Sequence, residues 1–308
     1  MNTRHLDIFL AVCDAGSFSR AAARLSLSQP SLSRVIREME ASHDIKLFIR
    51  TGRGVDLTEA GRLFRDFALR IVRDVELLKS EMQQLRGEIN GEVLVTIPLR
   101  VGRLILAPLV RRFSENFPKA AIYVYENINP VSQELLVSGE MDIGLFYDPP
   151  RPPSIIIDKI GNEDLYLIGK PDILGKTDQP IDLADVAQMP LILPGPHSHY
   201  RGYVDKVFSS IGLSPTIVRE LDTVDGLLSF AAEGEGVTIL PYSNVAREVD
   251  EGRATARKII NPPIRRRLCV ATGKHATSSL VRKTVTLLKQ VIIEHGEPAR
   301  WLLDNKHH

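Results

Sequence analysis

The stretch that decides the fold reads Phe9-Leu10-Ala11-Val12, then after three residues Gly16-Ser17-Phe18-Ser19-Arg20-Ala21-Ala22, and continues to Leu27-Ser28-Gln29-Pro30-Ser31-Leu32-Ser33. Leu6, Phe9, Leu10 and Cys13 fall at helical spacing, which gives the opening helix one buried face, and Gly16 ends it. Ser17 can cap a short helix over residues 19–25, whose Ala21-Ala22-Ala23 run offers little bulk and permits close helix contact. A three-residue turn, Ser26-Leu27-Ser28, leads into a third helix with Ser28 as its cap and Pro30 in the tolerant first turn. Leu32, Val35, Ile36 and Met39 share its buried stripe, so Gln29, Ser31, Ser33, Arg34 and Arg37 face outward, mostly near the N-terminal half.

That half is what a recognition helix inserts into the major groove, where Gln can pair with adenine, Arg with guanine, and Ser with phosphate or base edges. Arg34 or Gln29 taken alone reads more readily as part of a solvated helix face. The next residues decide between the two. Leu47-Phe48-Ile49-Arg50, Thr51-Gly52-Arg53-Gly54 and Val55-Asp56-Leu57 read as strand, glycine-rich turn and strand, which is a wing. Its tip carries Arg50 and Arg53, suited to backbone phosphates or the minor groove, and Thr58 caps the helix that follows.

These segments, the last extended through Leu57-Thr58-Glu59-Ala60-Gly61, resemble LysR-type transcriptional regulators nearly continuously over the opening residues. The resemblance implies an N-terminal all-α winged helix-turn-helix with a long linker helix, and a C-terminal α/β two-lobed domain like the periplasmic binding proteins. It implies a cytoplasmic transcription factor, a homodimer or homotetramer, acting on promoter DNA at sites with an interrupted dyad, with RNA polymerase as a further partner. The DNA-facing set is then Ser19, Arg20, Gln29, Pro30, Ser31, Ser33, Arg34, Arg37, Arg50 and Arg53. Residues 50–55 also resemble members that control nitrogen or sulfur assimilation.

Composition neither opposes nor supplies this reading. A chain of 308 residues, 44% hydrophobic and 25% charged, is long enough for two or three domains and too apolar for disorder. Lys and Arg outnumber Asp and Glu by only 39 to 38, so the case for DNA rests on local pattern. Cys13 and Cys269, both in apolar runs, exclude a cysteine-rich zinc site, give no reason to expect a disulfide framework and fit a reducing compartment. The start Met1-Asn2-Thr3-Arg4-His5 enters an amphipathic helix directly, without the apolar core of a signal peptide, and no run is long enough to span a bilayer. The final Lys306-His307-His308 resembles the remnant of an expression tag and is set aside.

Domain boundaries follow from punctuation. Gly87-Glu88-Ile89-Asn90-Gly91 interrupts the helical pattern, which places the winged helix-turn-helix over 1–58, a linker helix over 59–87 and a regulatory domain over 92–308. In the linker, Phe64, Ala68, Ile71, Val75, Leu78, Met82 and Leu85 alternate steps of four and three, a heptad seam that favours pairing with a second copy over packing on the chain's own core. Beyond it, strands at 93–97, 122–125 and 143–146 alternate with helices at 103–116 and 131–138, the signature of an α/β unit with a largely parallel sheet. A second set, with strands at 191–193, 216–219 and 237–240, follows from Leu165. The segments 268–271 and 280–295 return to the first, giving lobe I over about 92–164 and 266–296 and lobe II over about 165–265.

In such lobes, ligands bind at the carboxyl ends of strands beside helix N-termini, where free N–H groups attract anions. The candidate segments are Pro98-Leu99-Arg100, Tyr147-Asp148, Pro194-Gly195-Pro196-His197-Ser198-His199 and Thr223-Val224. LysR-type proteins commonly place small hydroxyl residues at the first of these positions; here Pro98 and Arg100 stand there, and the guanidinium makes a small anion, a carboxylate above all, the expected effector. A structural salt bridge is the competing reading of Arg100. Tyr147, Ser198 and Thr223 can add hydrogen bonds and His197 a donor that weakens as pH rises. His197 and His199 are better read as loop histidines than as metal ligands, and Gly234-Glu235-Gly236 as a helix-to-strand turn. No cofactor is expected and no enzyme motif is found: no P-loop, Gly-x-Ser-x-Gly elbow, His-Glu-x-x-His or Rossmann fingerprint. A ligand-independent regulator and, more distantly, a solute-binding protein are the alternatives.

Overall fold

Three helices build the N-terminal module of the computed structural model, which describes residues 2–52, 54–84, 89–126, 129–149, 153–274, 278–296 and 300–303. They are α1 (Thr3–Ala15), α2 (Phe18–Arg24) and α3 (Gln29–His43). Each cap is local chemistry. Asn2, Ser17 and Ser28 accept from the backbone N–H of His5, Arg20 and Ser31, and Gly16 closes α1 in the left-handed conformation at φ +57°. Phe9, Val12, Ala21, Ala22, Leu32, Ile36 and Met39 form the core; on α1 Ile8 and Ala11 are buried, while Leu10 and Cys13 stay half-buried.

The wing is an antiparallel pair, β1 (Phe48–Thr51) and β2 (Gly54–Leu57), and Arg53 at its tip lies outside the described residues. Its seating explains the glycines of the motif. A Cβ on Gly54, at φ +149°, would stand 2.3 Å from the Gly16 carbonyl oxygen, the same oxygen that accepts from Val55 N–H at 3.1 Å. Thr58 then fastens the next helix: its Oγ1 donates to the Lys46 carbonyl at 2.7 Å and accepts from Gly61 N–H at 2.9 Å, while a Cβ on Gly61 would strike the Leu47 carbonyl.

The linker helix α4 (Glu59–Gln84) corrects the seam read from sequence. Phe64 and Ala68 pack into the module's own core, Phe64 edge-on to Phe9 with ring centroids 4.8 Å apart. The exposed apolar stripe is instead Leu63, Phe67, Ile71, Leu78 and Met82. The two stripes share Ile71, Leu78 and Met82; the first turns differ because the winged module supplies a partner that the periodicity does not reveal. Leu85, Gly87 and Glu88 lie outside the described residues.

The remaining elements are β3 (Asn90–Ile97), α5 (Leu99–Asn116), β4 (Lys119–Glu126), α6 (Asn129–Ser138), β5 (Ile143–Tyr147), β6 (Ile155–Gly169), α7 (Pro171–Leu174), β7 (Ile181–Asp182), α8 (Leu183–Ala187), β8 (Leu191–Leu193), α9 (His199–Ser210), β9 (Ile217–Glu220), α10 (Val224–Glu233), β10 (Thr238–Pro241), α11 (Ala246–Asp250), β11 (Thr255–Ile260), β12 (Arg265–Gly273), α12 (Ser279–His295) and β13 (Leu302–Leu303). In the first lobe β3 runs parallel to β4 and β5, and α5 and α12 cover a core of Val93, Val95, Ile105, Leu109, Phe113 and Leu288. In the second, β8 and β9 are parallel, and Leu167, Leu191, Val204, Phe208 and Ile239 form a separate core.

The sheet is mixed rather than largely parallel. β6 is continuous across both lobes: its first part pairs antiparallel with β12 and its last part with β10 and β11. A strand that leaves one lobe and a strand that returns to it must run in opposite directions, so the two crossings form an antiparallel core between the parallel units.

Candidate DNA interface and interlobe cleft

The outer face of α3 presents Gln29, Pro30, Ser31, Arg34 and Arg37 to solvent, with Ser33 half-buried. Arg34 keeps 78% of its side chain exposed and pairs with Glu38, one turn on, at 2.8 Å. Arg37 donates from Nε to the Ser33 carbonyl at 3.2 Å. Ser19 is exposed at the start of α2. Arg20 is exposed as well, but it already braces the end of α1, its Nε donating to the Ala15 carbonyl at 3.0 Å. Arg50 is exposed on β1. Except for Arg53, the DNA-facing set is thus on one module.

Glu40 is a residue that sequence reading missed. It is 7% exposed at the rear of α3, and its Oε1 accepts from Leu47 N–H at 2.9 Å and Phe48 N–H at 3.4 Å, while Oε2 takes Lys46 Nζ at 2.7 Å. Burial pushes its carboxyl up, yet the Lys46 and backbone bonds outweigh it and hold it below the ordinary range. The recognition helix is thereby fixed to the first strand of the wing.

In the cleft, three helix N-termini follow strand ends: Pro98 precedes α5, Ser198 precedes α9 and Thr223 precedes α10. The helix α5 begins earlier than sequence periodicity places it, so Arg100 stands in its first turn. Its guanidinium crosses to the other lobe and pairs through Nη2 with Asp225, in the first turn of α10. Leu99 is exposed, and Val224 is half-buried at the facing terminus. Arg100 is 17% exposed and, among the described residues, nothing accepts from its buried Nε, whereas Asp225 is 80% exposed. The guanidinium bond holds the Asp225 carboxyl below its ordinary range.

The other cleft candidates divide. Thr223 Oγ1 is spent on capping Gly226 N–H at 3.1 Å; the Ser198 side chain makes no capping bond; His197 and His199 are exposed. Tyr147 does not line the mouth as a free donor. Its hydroxyl lies against Glu163, burial pushes it well above its ordinary range, and Arg266 stacks 4.3 Å from its ring centroid. The loop before α9 is held from beneath by Arg201, 9% exposed, which donates to the Pro194 carbonyl at 2.9 Å and Glu220 at 3.0 Å, and by Asp222, which accepts from Gly195 N–H at 2.9 Å. A surface groove of about 510 Å³ at the far end of α10 is lined by Lys170, Asp172 and Arg253, which already sit in ion pairs. Among the described residues, no His, Cys, Asp or Glu group could hold a metal and no helix is long and apolar enough to cross a membrane.

The linker helix grips the first lobe directly. Arg65 pairs with Glu140 at 3.2 Å, Arg73 pairs with the buried Asp142, and Glu81 accepts from Ser279 N–H at 2.8 Å.

A winged helix-turn-helix with a polar recognition face, joined by a long helix to two α/β lobes with a cleft between them, defines a DNA-binding regulator that carries a ligand-binding-type unit. The chain belongs to the LysR family of transcriptional regulators: residues 3–62 match "Bacterial regulatory helix-turn-helix protein, lysR family" and residues 86–292 match "LysR substrate binding domain". It is 32% identical over 244 residues, 79% of each chain, to the nitrogen assimilation regulatory protein nac of Klebsiella aerogenes. Among solved structures it resembles a full-length variant of OxyR from Pseudomonas aeruginosa, at a TM-score of 0.78 and 20% identity over 100% of this chain and 99% of that one. It also resembles full-length CbnR complexed with its target DNA, at a TM-score of 0.63 and 25% identity over 94% and 100% of the two chains. The chain is therefore a LysR-type DNA-binding transcriptional regulator with an effector-binding domain.

Proposed function

We propose that this regulator senses a small anion, a carboxylate above all, that takes the place of the Asp225 carboxylate on Arg100. The observation that carries the reading is the asymmetry of that ion pair: an enclosed cation whose Nε no described residue accepts from, and a partner carboxylate already in water. Releasing Asp225 strands no buried charge, so an entering anion replaces one exposed bond with a bidentate one. The N-termini of α5 and α10 add their N–H groups and dipoles. Exchange removes one tie between the lobes, and a ligand that prefers one lobe angle shifts the population accordingly. Residues 1–58 then contact DNA through Gln29, Ser31, Arg34, Arg37 and Arg50, residues 59–87 pair two copies, and the remainder senses the effector.

Calorimetry against a panel of carboxylates, phosphate and sulfate tests this, using wild type, Arg100→Ala and Asp225→Asn. A carboxylate should bind wild type, bind Asp225→Asn on the order of ten-fold more tightly, about 1.4 kcal/mol, and not bind Arg100→Ala. No response to any anion, with both variants misregulating, favours the second reading that the same ion pair supports: a ligand-independent regulator whose cleft is held by its own side chains.

A further inference from the structure

Two strands carry the chain between the lobes, β6 outward and β12 on return, and a third segment lies on the same crossing. It comes from beyond residue 292, where the match to the substrate binding domain ends. β13 pairs antiparallel with β6, Leu302 opposite Asn162 and Leu303 opposite Gly161, on a stretch whose other edge is taken by Arg267 and Leu268 of β12. We infer that residues 300–303 are a strap that fixes the angle between the two lobes.

The strap holds one lobe with each of two neighbouring residues. Trp301 is 7% exposed within the first lobe's core, beside Ile160 and Leu268, and its indole N–H donates to Glu163 Oε1 at 2.8 Å. Ser243 of the second lobe donates to the same oxygen at 3.0 Å, so one buried carboxylate ties tail, crossing strand and second lobe together. Arg300 faces the other way: its guanidinium lies 3.5 Å from the ring centroid of Tyr242 and 5.7 Å from that of Tyr166, both in the second lobe's core. The divergence is built into the backbone, because Arg300 adopts φ +55°, a conformation an arginine keeps only where its surroundings dictate it. A rotation of the lobes about β6 and β12 must part Arg300 from Tyr242 or Ser243 from Glu163. The strap is independent of the cleft ion pair, since it crosses at the strands and not at the helix N-termini.

The test is the distance distribution between spin labels at Glu115 and Lys206, exposed positions on the two lobes, in the full chain without ligand. Wild type should give one narrow peak, and both Arg300→Ala and a truncation removing residues 297–308 should broaden or displace it. Arg300→Ala removes the guanidinium's contacts with the Tyr242 and Tyr166 rings and leaves Trp301 seated, so it decides the matter if the truncated chain fails to fold. An unchanged peak in Arg300→Ala overturns the strap, whatever the truncation does, because Trp301 would then be a core residue of the first lobe and no more.

Discussion

Arg34 can be recruited to DNA at little cost because its bond to Glu38 is an exposed pair one turn apart, worth about 0.3–0.5 kcal/mol. Arg34→Ala should therefore cost about 1–3 kcal/mol at the cognate site and relax preference at one base position, whereas Arg50→Ala should weaken cognate and random DNA alike. Salt-titrated anisotropy separates the two, and equal losses on both kinds of DNA for Arg34→Ala would remove it from base readout. Glu40 acts on the same face from behind. Since the folded carboxyl titrates below its unfolded value, its stabilisation is present above the unfolded value and lost as pH falls through the folded one. Glu40→Gln should lose about 1–3 kcal/mol at neutral pH, with the gap to wild type closing in acid. Urea titrations at both pH values measure this, and a gap that stayed constant would mean the charge is irrelevant. Residue by residue, the caps Ser17, Ser28 and Thr58 could be read from sequence because each acts within a few positions of itself. Glu40, Arg201 and Asp225 could not: their partners are Leu47, Pro194 and Arg100, brought near only by the fold.

At the scale of elements, α4 shows where periodicity informs and where it misleads. The helix and its long apolar side were legible, yet Phe64 and Ala68 belong to the winged module's core, leaving Leu63 and Phe67 outside. Leu78, 60% exposed, lies on both versions of the stripe and makes a clean probe, because charging it leaves the single chain's packing intact. Leu78→Lys should dissociate the dimer and weaken DNA binding with it, since two recognition helices would no longer share one site. Light scattering that shows an unchanged oligomer would exclude this stripe as the pairing surface. The strand β6 was half missed for a related reason. Residues 155–164 meet the first lobe and 165–169 the second, so the strand carries two burial patterns and neither extends far enough to announce one element.

For the whole molecule, the question is how a change at the cleft reaches the DNA module. The contacts that could carry it are those from α4 to the first lobe, Arg65 to Glu140, Arg73 to Asp142 and Glu81 to Ser279. They are not equivalent. Asp142 is 6% exposed, burial pushes its carboxyl up against the opposing pull of Arg73, and it accepts from Leu94 N–H at 2.9 Å, so removing Arg73 would strand a buried charge and confuse coupling with unfolding. Arg65 and Glu140 are 30% and 28% exposed, so losing either partner leaves a charge that still reaches water and costs less than at the buried Asp142. The double variant Arg65→Ala, Glu81→Ala should thus fold, keep the intrinsic DNA affinity of the ligand-free protein and bind a cleft anion as wild type does. What it should lose is linkage, the factor by which anion changes DNA affinity and, reciprocally, DNA changes anion affinity. Measuring both legs of that cycle by titration checks the prediction internally, because a coupling free energy must come out the same from either side. Wild-type linkage in the double variant would mean that Arg65 and Glu81 do not carry the message.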